Sequence, residues 1–293
     1  MVFFSLPLWG RWHGEAVTEE GSTHSPNTSS IGAILPHLSR PLQGHPPQRG
    51  GLLIFFLEEL PMKIPLSDRL LACCNYVNRG DRVADIGCDH GYLGIYLLTN
   101  GIASSMIEAD VAEGPLQSAM RNAIKFGTKN KMTFHLSDGL QNIPRDFDTL
   151  VCAGMGADTI MSIIHNSAEW LKDPKYRLIL QCQSKRPELR QWLYDEGFRI
   201  NRETLAKDGK FVYSIMEVVY DPGHGITPAE TYISPALLED NHALLPEYYE
   251  RVKHGVELTV MGMKRSGDDQ LPIYETILSD LTKMEERIYG NCQ

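Results

Sequence analysis

Residues 82–94 read RVADIGCDHGYLG. An apolar run from Val83 to Ile86 stops at Gly87, and Gly91 stands before a second apolar stretch. A short strand that turns through glycine into a helix opens many α/β sheets, and such sheets bind ligands outside the carboxyl ends of their strands. The alternation continues outward from this unit. Strands are expected at 82–88, 104–111, 132–137, 147–153 and 177–183. Helices are expected at 67–77, from about 91, and at 115–126, 157–169 and 187–196, with Ser67 placed to cap the first of them. Residues 198–205 and 211–220 are joined by a link short enough for an antiparallel hairpin. Five βα units and a terminal hairpin predict a doubly wound α/β sheet of seven strands, mostly parallel.

The flanks differ from this middle. Residues 1–61 contain no Asp and no Lys and are rich in Pro, Gly, Ser and His, so they are expected to be a disordered extension. Met62 then begins MKIPLSDRLLACC, which reads like a fresh start, so 1–61 are expected to be upstream sequence without a role, the rival reading being a real N-terminal arm. The expected main domain is 62–222. Residues 223–293 are expected to be helical: Leu245, Tyr249, Val252, Val256, Val260 and Met263 are spaced 4, 3, 4, 4, 3, and Tyr274, Ile277, Leu281, Met284 and Ile288 are spaced 3, 4, 3, 4. Those are seam periods, and the breakers in 264–272 predict a reversal, so a coiled-coil hairpin is expected. It is either packed on the main domain or an arm for a partner.

Composition narrows the class. The chain has 293 residues, 42% apolar and 22% charged, enough to bury a core without cross-links. Its six cysteines, at 73, 74, 88, 152, 182 and 292, form no CxxC pair and no Cys/His cluster at zinc spacing. This argues against a disulfide framework and a metal site and fits a reducing, cytoplasmic setting. The longest apolar run, Leu52 to Leu57, is far too short to span a bilayer, so no membrane role is expected. The opening MVFFSLPLWGR lacks the basic start of a signal peptide. The net charge of −9 sits mainly in the tail: 62–220 carries 19 basic and 19 acidic groups, and 221–293 carries 6 and 13. A neutral middle leaves nucleic-acid binding open.

Acids at the strand ends narrow the chemistry. Asp85 ends the first strand and Asp89 lies inside the glycine turn, with Cys88 and His90 on either side of it. A phosphate in this turn would face Asp89 at a cost of about 1 kcal/mol or more at ~4 Å, even in bulk dielectric. S-adenosylmethionine carries an ammonium, a sulfonium and one carboxylate but no phosphate, so it suits an acidic turn. The third glycine of the dinucleotide fingerprint is also misplaced. Asp110 ends the second strand, 25 residues after Asp85, where a carboxylate can accept both ribose hydroxyls. Glu108 is its alternative on the same strand face, and Val111 follows it. Asp138 and Gly139 close the third strand, where an adenine amino group would be met. The fourth strand ends Cys152-Ala153-Gly154-Met155-Gly156, which leaves room for a flat acceptor with Met155 to stack on it. Cys152 reads as a small buried hydrophobe rather than a nucleophile.

DIGCDHGYLGIYL, EADVAEGPLQSA, LSDGL and VCAGMG resemble the class I, Rossmann-like S-adenosylmethionine-dependent methyltransferases. The Asp-His pair in the turn, Glu113-Gly114-Pro115, the Ala-Gly-Met-Gly motif and the stretch 178–215 are similar to the bacterial TrmK family in particular. These are tRNA (adenine(22)-N1)-methyltransferases with a coiled-coil C-terminal domain. The likeness covers residue 62 to the end and departs from the family at Ala157, where a second glycine is common. It implies S-adenosyl-L-methionine as cofactor, tRNA as partner, and methyl transfer to adenine N1. Asp85, Gly87, Cys88, Asp89, His90, Asp110, Val111, Asp138, Gly139, Ala153 and Gly154 would hold the cofactor. Asp89 would stabilise the charge left on the methylated ring, and Tyr92 and Met155 would shape the acceptor pocket. The chain is expected to be a monomer or weak homo-oligomer.

Three basic groups could face RNA: Lys172, Lys175, Arg177, Lys185, Arg186 and Arg190; Arg121, Lys125, Lys129 and Lys131; and Arg251, Lys253, Lys264 and Arg265 on the tail. The rival readings are a methyltransferase of proteins or small molecules, a nicotinamide-dependent oxidoreductase on the same fold, and a cofactor-binding adaptor.

Overall fold

The computed structural model describes residues 63–290. The expectations for 1–61 therefore lie outside the described residues. Seven strands, β1 (Arg82–Ile86), β2 (Ser105–Asp110), β3 (Met132–Leu136), β4 (Thr149–Met155), β5 (Arg177–Cys182), β6 (Phe198–Asp208) and β7 (Phe211–Tyr220), form one sheet. Their order is β3-β2-β1-β4-β5-β7-β6. β1 to β5 are parallel, while β7 runs antiparallel between β5 and β6. The reversal of strand order at β1/β4 opens a crevice at the carboxyl ends of those strands.

Helices cover both faces, which is why the strands read as nearly continuous apolar runs. Ala84, Ile86, Ile107, Ala109, Leu150, Leu178 and Leu180 share a core with Ile160 and Ile164 of α4 (Ala157–His165) and Leu189 and Leu193 of α6 (Arg186–Asp195). The opposite face sets Val83, Met106, Val151, Ile179 and Ile215 under α1 (Asp68–Cys74), α2 (Tyr92–Thr99) and α3 (Glu113–Lys125). Along that second face three strands break their apolar pattern near their carboxyl ends. Asp85 follows Val83, Glu108 follows Met106, and Gln181 follows Ile179, and all three side chains are buried. Buried polar residues are the informative departures in a sheet of this kind.

Three local expectations are corrected. No helix follows β3: residues 137–148 cross to β4 as a loop braced by Ser137, whose hydroxyl donates to Gly139 O and accepts from Asn142 N–H. Helices follow β1, β2, β4 and β5, so there are four βα units and not the five expected; the segment after β3, for which no helix was expected, holds Gly139 and Pro144. Ser67 does precede α1, but it makes no capping hydrogen bond, and its buried hydroxyl has no partner among the described residues. The helix expected at 157–169 ends at His165, and α5 (Ala168–Leu171) follows after a break.

The tail folds as α7 (Pro235–Asp240), α8 (Leu245–Ser266) and α9 (Leu271–Gly290). Gly267, at φ +70°, ends α8 in the left-handed conformation that favours glycine, and α9 returns antiparallel. The predicted seam residues of both helices fall into one core, which also takes Leu205 of β6 and Val212 of β7. At its base this hairpin therefore packs on the sheet. The joint contains a buried Arg190–Glu203 ion pair, with Ser214 and Ser234 donating to the same carboxylate and Thr231 O accepting from the guanidinium.

Candidate functional site

The glycine turn after β1 is pinned to β2 by its backbone. Gly87 N–H and Cys88 N–H both donate to Ala109 O, at 2.8 and 3.1 Å. Gly87 has φ +73°, and a Cβ there would overlap the Met155 methyl, so Met155 of β4 packs across the turn. Asp89 also lies in the left-handed region, at φ +50°, which few residues other than glycine adopt without strain. Its N–H points to Asp110 Oδ2 at 3.4 Å, and Asp110 Oδ1 accepts from Ala112 N–H at 2.9 Å. Asn122 of α3 holds His90 O at 2.9 Å, and a Cβ at Gly91 would sit 2.9 Å from Ala119, so the start of α2 is locked against α3.

One cleft results, lined by Asp85, Gly87, Cys88, Asp89, His90, Tyr92 and Ala153, all expected from the sequence, together with Arg69, Leu70 and Leu93. Asp85 and Glu108 are register partners on β1 and β2. Burial, then the Asp110 charge, raises the Asp85 pKa to about 7. Burial, then Asp85, also holds the Glu108 carboxyl well above the usual carboxylate range. Burial, with Glu108 beside it, pushes the Cys88 thiol up, so it is not a thiolate nucleophile. Cys152 is likewise buried with a raised pKa, as its reading as a hydrophobe requires. His90 Nε2 stands 3.6 Å from Asp89 Oδ1, and its ring lies beside Tyr92.

The β4 end forms the opposite wall. The pairing of β4 with β5 shifts register between Ala153 and Met155, where Gly154 takes φ +81°. Such a bulge re-aims side chains next to a site. Gly154 N–H donates to Gln181 Oε1 at 2.9 Å, and Arg69 Nη1 donates to the same oxygen at 2.9 Å. Neither Arg69 nor Gln181 is among the site residues expected from the sequence. The available signals were a cation on the otherwise apolar LLACC helix and an amide inside the apolar strand RLILQC.

The remaining expected residues lie around the rim. Asp110 joins the cleft through Asp89, and Val111 is exposed just beyond β2. Asp138 is exposed at the end of β3, and Gly139, at φ +58°, packs against Ile163 of α4.

The basic surfaces change most. Arg190 is fully buried against Glu203, and Arg177 is tied to Asp81 and Glu217, so neither can meet a phosphate. Lys172, Lys175 and Lys185 each pair with a carboxylate, and Arg186 lies over Tyr248. On the tail, Arg251, Lys253 and Lys264 pair with Glu247, Glu285 and Glu275. Lys125 and Lys129 lie over Phe126 and Phe134, and Arg121 donates to Ser118. Among the described residues this second group, with Lys131, has no carboxylate partner.

Comparison with known proteins follows the same lines. The methyltransferase-domain family model matches residues 66–216. The chain is 30% identical over 202 residues to the tRNA (adenine(22)-N(1))-methyltransferase of Bacillus subtilis, across 66% of this chain and 83% of that protein. Its fold is similar to the crystal structure of the B. subtilis m1A22 tRNA methyltransferase TrmK, with TM-score 0.63 and 25% identity, over 78% of this chain and 99% of that one. It also matches a Streptococcus pneumoniae protein solved with S-adenosyl-L-methionine, with TM-score 0.64 and 27% identity, over 73% and 99% of the two chains.

Proposed function

The chain belongs to the tRNA (adenine(22)-N1)-methyltransferase family, and from that membership we propose that it transfers the methyl group of S-adenosyl-L-methionine to N1 of adenine 22 in tRNA. The observation that carries this reading is the acidic glycine turn. Asp85, Asp89 and Asp110 gather where a phosphate-bearing dinucleotide would put negative charge, and one arginine, Arg69, stands across the cleft. That donor set suits a ligand with cationic groups and a single carboxylate. It speaks against the nicotinamide-dependent alternative.

When bound, S-adenosyl-L-methionine supplies an electrophilic methyl group on a sulfonium. Asp110 would accept the ribose hydroxyls, and Val111, Asp138 and Gly139 would hold the nucleoside. Gly87, Cys88, His90, Ala153 and Gly154 form the backbone cradle, and Asp85 faces the cationic groups. The N1 lone pair of adenine is free at neutral pH, so no side chain has to remove a proton before transfer. The protein's part is to orient the base and exclude water. Asp89 stabilises the positive charge that the ring acquires. Tyr92 and Met155 shape the acceptor pocket, and Met155 is held there by its contact over Gly87. N1 lies on the pairing edge, so the target base must leave its pairing to enter.

Residues 63–222 form the cofactor-binding domain, and the coiled-coil hairpin within 223–290 helps to grip tRNA. The protein works in the cytoplasm as a monomer or weak homo-oligomer. Among the described residues no helix is long and apolar enough to cross a membrane. A direct test incubates the protein with methyl-labelled cofactor and unmodified tRNA transcripts. Label on a transcript with adenine 22, and none when that base is guanine, supports the reading. Label on neither transcript refutes it.

A further inference from the structure

The crevice at the carboxyl ends of the strands has two unlike rims. The segments leaving β1, β2 and β3 (87–91, 111–115 and 137–140) carry Asp89, Glu113 and Asp138, all exposed, with Asp110 at the end of β2, and they contain no Lys or Arg. The segments leaving β4 and β5 (153–158 and 183–186) carry Lys185 and Arg186. Arg186 is turned to the tail, over Tyr248 of α8. Lys207 and Lys210 lie beyond β7, and Lys207 is held by Glu247 of α8. Lys129 and Lys131 precede β3, at the opposite end of the strands. Among the described residues this leaves Lys185 as the exposed cation of the β4–β5 rim. Its backbone is unusual as well. Lys185 takes φ +53° and ψ +43°, a left-handed conformation that Gly or Asn adopts far more readily. The other non-glycine residues of positive φ among those described are Asn241, which ends α7, and Asp89, on the opposite rim. Strained backbone persists where its surroundings over-determine it. Here Gln183 N–H donates to Met155 O at 2.8 Å, Cys182 Sγ donates to Ser184 O at 2.8 Å, and Ser184 Oγ lies 3.1 Å from where a Cβ on Gly156 would stand. The segment is thus pinned across the β4 bulge. From it Lys185 Nζ reaches Asp158 Oδ2 at 2.7 Å, with the two side chains 52% and 69% exposed. An ion pair this exposed adds little stability, and it leaves ammonium donors for a second acceptor.

We propose that Lys185 receives a backbone phosphodiester flanking the target adenine, in competition with Asp158. The proposal rests on the tRNA-methyltransferase reading above. A base that leaves its pairing and enters the crevice keeps its sugar and flanking phosphates at the rim. On the β1–β3 rim a phosphate would meet Asp89, Asp110 and Asp138, all of like charge. On the β4–β5 rim it meets a lysine. The ammonium is a point charge on a flexible stem, so it can trade one oxyanion for another without moving the backbone. Lys185 is in this account a substrate-positioning residue. The chemistry stays with the cofactor and the base, and the lysine fixes the approach of the nucleotide. The strained backbone then has a use: it turns the stem toward the start of α4, on the side of the crevice where the acceptor enters. Asp158 opposes the phosphate, so the two members of the pair act with opposite sign.

The test compares full-length Lys185→Asn and Asp158→Asn with wild type in tRNA binding and methylation. Asn tolerates the left-handed backbone, so Lys185→Asn should melt at or above the wild-type temperature and bind S-adenosyl-L-methionine unchanged. It should lose about ten-fold in kcat/KM for tRNA, mainly through KM, and its tRNA binding should depend less on the logarithm of salt concentration by about one unit. Asp158→Asn should instead gain up to about five-fold in tRNA affinity. Equal losses in both variants would make the pair a structural brace and overturn the proposal, and so would an unchanged KM and salt slope in Lys185→Asn. Transcripts with a neutral methylphosphonate at one linkage beside the target adenine locate the phosphate. At the linkage that Lys185 holds, the methylphosphonate should weaken wild type by the same factor and Lys185→Asn no further. Losses that add to that of Lys185→Asn at both linkages would place its contact elsewhere on the tRNA and refute the assignment. Should Lys185→Asn fail to fold, Lys185→Gln carries the same comparison. Wild-type protein that binds the cofactor but neither binds nor methylates tRNA would refute the reading above, and this contact with it. An active wild type with an indifferent Lys185 would refute the contact alone.

Discussion

Asp85 and Glu108 stand opposite each other in the β1–β2 register, so two carboxyls lie side by side on a buried face of the sheet. Burial, then the Asp110 charge, raises the Asp85 pKa from the ordinary 3.8 to about 7. The folded state therefore holds this proton over a range in which the unfolded chain has lost it. Stability contributed by Asp85 is full below its unfolded pKa and declines as pH rises toward its folded pKa. The cofactor-free protein should accordingly show a melting temperature that falls between about pH 4 and pH 7, and Asp85→Asn should flatten that slope. A cationic ligand favours the charged form, so the gain in melting temperature from S-adenosyl-L-methionine should be larger at pH 8 than at pH 6. Thermal melts at both pH values, with and without ligand, check both statements.

Gly94 lies inside α2, where alanine would ordinarily stabilise by about 0.5–1 kcal/mol. Here the sign should reverse. An added Cβ would overlap Glu108 Oε1 and come within 2.9 Å of Met106 Cε. Gly94→Ala should lower the unfolding free energy by about 1–3 kcal/mol, as overpacking of a tight core does. Pairing it with Glu108→Ala should restore much of the loss. Denaturant unfolding of the three variants measures it.

The left-handed Asp89 tests strain against function. Asp89→Gly removes the penalty on a non-glycine residue at φ +50° and also removes the carboxylate. The variant should melt at or above the wild-type temperature. It should bind S-adenosyl-L-methionine and lose about a hundred-fold in kcat, the scale expected when one electrostatic stabiliser is removed. Single-turnover methylation of tRNA, measured beside a melting curve, separates the two effects.

Of the three basic groups, Arg121, Lys125, Lys129 and Lys131 have no carboxylate partner among the described residues, so tRNA contacts should concentrate there. Replacing Lys129 and Lys131 with Ala should weaken tRNA binding and flatten its dependence on the logarithm of salt concentration by about one unit per lost phosphate contact. Replacing Lys172 and Lys175 should change that slope little. Binding isotherms at several salt concentrations decide between the two surfaces.

The sheet and the glycine turn were legible because they are written in local pattern. Strand periodicity places β7 at Phe211–Tyr220, and the turn residues account for most of the cleft lining. What the pattern could not show was partnership at a distance. Arg177 and Arg190 read as surface charge, yet their carboxylate partners lie across the sheet. Arg69 and Gln181 are 112 residues apart, and nothing local to either predicts that a helix would lay one onto the other.

The most direct test of the central claim is mass spectrometry of the nucleosides from unmodified tRNA that has been incubated with the protein and S-adenosyl-L-methionine. New 1-methyladenosine, absent when Asp89→Gly protein is used under the same limiting conditions, is the predicted result. No methylated nucleoside, from protein shown in the same preparation to bind the cofactor, would contradict the tRNA assignment.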